Sequence, residues 1–198
     1  MFSIQSCSHS ILTTKGSHSK LFGSGLPGYE LQIRKYFRNG LMKTEIKFGL
    51  FFSAAQLFWL LFEYVFGLQT TYKNFHAVIT NFFAVPAIVI MTYSILTKRN
   101  DLGGEITFLK ALLTGVYVSA VVAVLSPLVL LIFHYLINPH FFTDFQEYSV
   151  KIGKMSVQEA KDYFNLKSYI LQGIFGALMM GTVTSLVVAA VIKKKVKV

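Results

Sequence analysis

Residues 109–137 read LKALLTGVYVSAVVAVLSPLVLLIFHYLI, and Lys110 is the single charged side chain in the run. About 20 mainly apolar residues suffice for a helix to cross a hydrocarbon core, so this stretch is long enough with residues to spare. Its apolar residues do not alternate with polar ones, which excludes a barrel strand. Working outward, three further runs meet the same length: Phe48 to Phe66, Ala77 to Leu96 and Tyr169 to Ile192. The fold class is therefore all-α, an integral membrane bundle of four transmembrane helices at about 48–66, 77–96, 109–137 and 169–192. The surplus length of the third span calls for tilt or for projection beyond the bilayer.

Composition agrees with this reading. Of 198 residues, 54% are hydrophobic and 14% charged, where soluble chains carry roughly 25% charged residues. The formal charge of +10 would suggest nucleic acid on a soluble chain, but the basic residues follow the membrane instead. Fourteen of the nineteen fall before span one, between spans two and three with Lys110 at the start of span three, or after span four; the other five are Lys73, Lys151, Lys154, Lys161 and Lys167. The positive-inside rule then places both termini in the cytoplasm and loop 138–168 outside, and no nucleic-acid partner is needed to explain the charge. The single cysteine, Cys7, excludes an intramolecular disulfide framework and a multi-cysteine metal site.

Residues 1–41 differ from the rest. Residues 1–28 hold seven Ser, four Gly and no acid, a composition that reads as disordered. Residues 31–41 fit a short basic interfacial helix, with Ile33, Tyr36, Phe37 and Leu41 towards lipid and Arg34, Lys35 and Arg38 towards headgroups. A second reading is that the chain begins at Met42, directly before the first span, and that 1–41 is a mis-called extension.

The loop 138–168 is the largest extramembrane part. Phe141, Phe145, Tyr148 and Ile152 recur at helical spacing, so Phe141 to Lys151 reads as an amphipathic helix on the membrane surface or over the bundle, ended by Gly153. Ser156 and Glu159 fit a capping box, which starts a second helix near Val157. No proline stops that helix from continuing through Asn165 towards span four.

Association of helices in lipid relies on small residues and polar contacts. Gly173, Ala177, Gly181, Ser185 and Ala189 recur every fourth position of span four, and Ala111, Gly115, Ser119 and Ala123 do so in span three. These faces are expected to pack together within the chain, with a homo-oligomer as the alternative. Pro86 and Pro127 fall in mid-span, where each is expected to bend its helix.

Glu63 is the acid within the first span, and a carboxylate at that depth needs a partner, water or a proton. It belongs to a small and polar stripe, Gly49, Ser53, Gln56, Leu60, Glu63 and Gly67, expected to face the bundle. Asn81, His134 and Gln172 lie at comparable depth on the other spans, so the candidate intramembrane polar cluster is Glu63, Asn81, His134 and Gln172. If these converge, Glu63 and His134 share a proton or a cation. One Glu and one His are too few ligands for zinc, and His76 and His140 add no recognisable metal spacing. No phosphate loop, nucleophile elbow or H-E-x-x-H helix occurs. Neither enzyme chemistry nor a cofactor is indicated.

The run Lys47-Phe-Gly-Leu, then Trp59-Leu-Leu-Phe-Glu63-Tyr with Gly67-Leu68, resembles the bacterial membrane family known as domain of unknown function 4199. Similar to its members as well are Asn81-Phe-Phe-Ala-Val-Pro86, Lys151-Ile-Gly-Lys-Met155 with Glu159-Ala160, and Tyr163-Phe-Asn-Leu-Lys-Ser-Tyr-Ile-Leu-Gln-Gly173. The resemblance covers residues 42 to 195. It implies a small bacterial inner-membrane protein with four spans, and it carries over no activity, cofactor or site residue.

Two functions remain in view. One is a non-enzymatic accessory or scaffold subunit meeting a membrane or periplasmic protein through 138–168. The other is a small oligomeric transporter or channel subunit with an ion or proton site near the outer leaflet. Polar groups converging beside a water-accessible cavity favour transport, and a dry interior of small residues favours the scaffold.

Overall fold

The computed structural model describes residues 42–193. The expectations for residues 1–41 fall outside the described residues. Among the described residues the chain forms α1 (Met42–Val65), α2 (Lys73–Asn81), α3 (Ala84–Asp101), α4 (Phe108–Ile132), a π-turn (Phe133–Ile137), α5 (Phe141–Lys151), α6 (Val157–Tyr163) and α7 (Leu166–Ile192), with no strand. Four stretches are long and apolar enough to cross a membrane: Met42–Val65, Lys73–Asp101, Phe108–Ile137 and Leu166–Ile192. Their outward side chains are large and apolar, and Phe58, Val65, Val124 and Val191 are each more than two-thirds exposed. A surface of that kind is stable against lipid tails.

Both mid-span prolines shape the backbone, in different ways. Pro86 has no N–H, and its ring collides with the carbonyl four residues back, that of Phe82. The second span therefore breaks there: α2 ends at Asn81, Phe82 and Phe83 turn, and α3 starts at Ala84. The Val85 amide takes the released Phe82 carbonyl at 3.1 Å. Pro127 is tolerated inside α4, because the Ser126 hydroxyl donates to the Ala123 carbonyl, 3.2 Å away, that the missing amide would have served. One turn further on α4 widens into the π-turn, where the Asn138 amide reaches the Phe133 carbonyl at 2.9 Å.

α4 packs against α1, α3 and α7, with the most extensive contact to α7. The seam is reciprocal. A Cβ on Gly115 of α4 would strike the Ser185 hydroxyl of α7, and a Cβ on Gly181 of α7 would strike the Ser119 hydroxyl of α4. Each serine also donates to the carbonyl of the glycine on its own helix, Ser119 to Gly115 at 2.8 Å and Ser185 to Gly181 at 2.5 Å. Gly173 approaches Ser126, whose Oγ would lie 3.4 Å from an added Cβ, while Ala177 packs beside the core of Met91, Ile95, Val118, Val122 and Ala189. Gly49 on α1 lets that helix approach α4, where a Cβ would overlap Val121.

A second core lies at the other end of the bundle. Phe141, Phe142 and Phe145 of α5 are buried with Phe133, Ala160 and Phe164, against Leu57, Leu60 and Tyr169. Of the two placements expected for this amphipathic helix, it takes the one over the bundle. Its buried face is Phe141, Phe142, Phe145 and Ser149, not the expected line through Ile152, which is 51% exposed at the C-cap. The expected Gly153 stop is present, with φ +69° and the paired amide contacts to Val150 and Ser149 of a Schellman end. Ser156 and Glu159 form the full capping box of α6. That helix does not continue into span four: it ends at Tyr163, and Asn165 caps α7 by accepting from the Ser168 amide at 2.9 Å. The N-cap oxygen starts α7, and the Asn165 amide N–H groups close α6 by donating to the Lys161 and Asp162 carbonyls at 3.0 and 2.7 Å.

Candidate functional site

Glu63 is fully buried at the end of α1. The Trp59 indole N–H, one turn back on the same face, donates to Oε1 at 2.7 Å. α1 closes in a Schellman turn at Gly67, φ +71°, with the Leu68 amide 2.9 Å from the Glu63 carbonyl. This reversal, which needs the left-handed conformation glycine adopts freely, brings Gln69 back over its own helix. Gln69 Nε2 then lies 3.3 Å from both Glu63 Oε2 and the Leu60 carbonyl. α2 returns alongside, so Thr80 Oγ1 donates to Glu63 Oε1 at 2.5 Å and His76 Nδ1 stands 3.5 Å from Oε2. Asn138, placed by the π-turn, donates to Gln69 Oε1 at 3.2 Å. The network thus links α1, α2 and the end of α4.

α5 seals this network. The His76 ring packs against Phe145, centroids 4.7 Å apart, and against Phe141 at 6.0 Å. Lys73 at the start of α2 pairs with Asp144 of α5 at 3.6 Å. Donors to a carboxylate in a low-dielectric site hold it more firmly than in water, and here they come from segments far apart in sequence.

The four polar residues singled out above do not form one cluster. Glu63 takes the partners just described. His134 lies in the π-turn, with its ring beside Tyr135 and Phe142 at 4.9 and 5.0 Å, and its Nδ1 is buried without a hydrogen-bond partner. Extra residues in a π-turn rotate everything after Ile132 away from the α-helical phase, so equal depth on span three did not mean a shared face. Asn81 and Gln172 line a cavity of about 380 Å³ that Glu63 does not touch. Gln56, Thr80, Phe83, Gly176 and Met180 also line it, and Gln56 Oε1 is buried there without a donor. Thr80 belongs to both sites. Among the described residues no group of three or more His, Cys, Asp or Glu side chains is placed to hold a metal ion.

At the opposite end of the bundle the sequence reading missed a second buried charge pair. Glu45 in the first turn of α1 meets Lys98 in the last turn of α3, Oε1 to Nζ at 2.7 Å, and both are 1% exposed. Thr44 beside it donates to Asp101 at 2.8 Å. The available signal was Glu45 at the start of an apolar run, a position read only as part of a basic flank.

A helical bundle with four membrane-length helices, lipid-compatible outer faces and polar residues held inward defines a multi-pass membrane protein. Its sequence places it further: residues 47–194 match the family described as "Protein of unknown function (DUF4199)", and the chain belongs to that family. No curated protein and no solved structure matches the chain.

Proposed function

We propose that the protein is a non-enzymatic accessory subunit of a bacterial inner membrane, with both termini cytoplasmic and the α5–α6 cap as its periplasmic contact surface. The observation that carries this reading is the sealing of Glu63. Its carboxylate has no exposure and is engaged by side chains of α1, the following turn and α2 under the aromatic face of α5. A transported proton or ion needs a wetted path to its carrier; His134 hydrogen-bonds nothing in this network, and the histidine that does approach Glu63, His76, is packed against Phe141 and Phe145 of α5. The tight glycine–serine seam of α4 and α7 supports a scaffold in the same way.

The cap offers a partner something to hold. Ile152, Val157 and Tyr163 are 51%, 57% and 45% exposed on α5, α6 and their junction, beside Lys151, Lys154 and Lys161. An even number of candidate spans and the basic flanks of residues 42–193 support the proposed orientation.

Native mass spectrometry of protein extracted gently from its own membrane, without overexpression, tests the proposal. A stoichiometric second protein is the expected result, lost on Ile152→Asp with Val157→Asp. A homo-oligomer carrying a bound ion, with no second protein, overturns it in favour of transport.

A further inference from the structure

We infer that the cavity between α1, α3 and α7 is a binding site for a single-chain amphiphile with a hydrogen-bond donor in its headgroup, of the fatty-alcohol class. It is independent of the accessory-subunit reading. Three observations meet here. Asn81 and Gln172 are exposed on helices at membrane depth and line the same cavity. Phe83 of the α2–α3 break also lines it, and irregular backbone at that depth persists only where it is buried or lines a cavity. Finally, Gln56 Oε1 is buried in the wall with no donor to satisfy it.

Shape and chemistry select the ligand class. The volume of about 380 Å³ falls at the lower end for sites that enclose a small molecule. Its wall beyond the amides is mainly apolar, including Phe83, Ile88 and Met180, which suits an alkyl chain, and is interrupted by the hydroxyls of Thr80, Ser119 and Thr184. Asn81 commits one of its two amide N–H groups to the Ala77 carbonyl at 2.6 Å, and its amide oxygen, like that of Gln56, can accept from a headgroup. No basic side chain lines the cavity, which disfavours a phosphate or carboxylate head. Gly176 keeps the tail path open, since an added Cβ there would meet nothing within 4 Å.

The test uses the full chain in phosphatidylcholine vesicles and a dodecanol probe carrying a mid-chain diazirine. Irradiation is expected to label segments 83–91 and 172–184 saturably, with unlabelled dodecanol competing about tenfold better than dodecyl methyl ether, which lacks the O–H donor. Gln56→Leu should abolish that preference while labelling persists. Gly176→Leu should abolish labelling at an unchanged thermal midpoint. Equal competition by alcohol and ether in the wild type overturns the proposal whether or not either variant folds. So does unsaturable label spread over all lipid faces, or exclusion of label by a second copy cross-linked through α7.

Discussion

Glu45 and Lys98 close one end of the bundle through a contact of 2.7 Å between side chains that are each 1% exposed. Removing one member of such a pair leaves the other charge buried and typically costs about 3–5 kcal/mol, whereas replacing both by apolar groups is often close to neutral. Lys98→Met alone should therefore lower stability by about 3–5 kcal/mol, and Glu45→Leu with Lys98→Met should recover most of it. Denaturation in mixed micelles measures both; a double variant no better than the single one would contradict this account.

Glu63→Gln places an amide N–H among groups that are themselves donors. The expected loss is about 1–3 kcal/mol, less for Thr80→Val, which removes one donor of several. Trp59 is the only tryptophan and donates to this carboxylate, so its emission should shift in Glu63→Gln. An unchanged spectrum would mean the indole is not bonded there in the membrane.

Gly181→Leu must displace Ser119, which already occupies the space of a Cβ. Overpacking of this kind costs about 1–3 kcal/mol. The thermal midpoint should fall for Gly181→Leu and stay level for Gly176→Leu, only one turn away but in open space. If the two variants behave alike, the α4–α7 seam is not the one described.

The capping box predicts a pH effect in α6. The Ser156 amide, and then its hydroxyl, hold the Glu159 carboxyl below its usual value. A lowered folded-state value means that the stabilisation is fully present above the ordinary glutamate range and is lost as pH falls through the lowered value. The Ser156 amide resonance should follow that titration, and Glu159→Ala should remove it. A resonance insensitive to acid would exclude the box in solution.

The sequence showed the spans because about 20 apolar residues without charge have few other destinies. The inward stripe of α1 was equally legible: Gly49, Ser53 and Glu63 share one helical face by spacing alone, and all three are buried. Trp59, four residues before Glu63, lay within reach of the same argument. Gln69, Thr80 and Asn138 did not. They arrive through a glycine reversal, a returning helix and a π-turn, contacts that depend on backbone events which periodicity does not encode. His134 was grouped with Glu63 by depth alone, which does not say which face a residue takes, and it falls in the π-turn Phe133–Ile137. The α5 face was misjudged by one residue because its helix packs on two elements, Phe145 against His76 of α2 and Phe142 against Tyr169 of α7, with centroids 4.7 and 5.2 Å apart.

The reciprocal seam of α4 and α7 has a consequence for biogenesis. α4 is made before α7, the helix that covers its glycine–serine face, and the whole α5–α6 segment comes between them. Until α7 is inserted, α4 presents close-packing small residues that Met91 of α3 covers only beside Gly115. The nascent protein is then most open to mispairing with neighbouring helices, and truncation before residue 166 should leave an insertion intermediate that the membrane's quality-control proteases recognise.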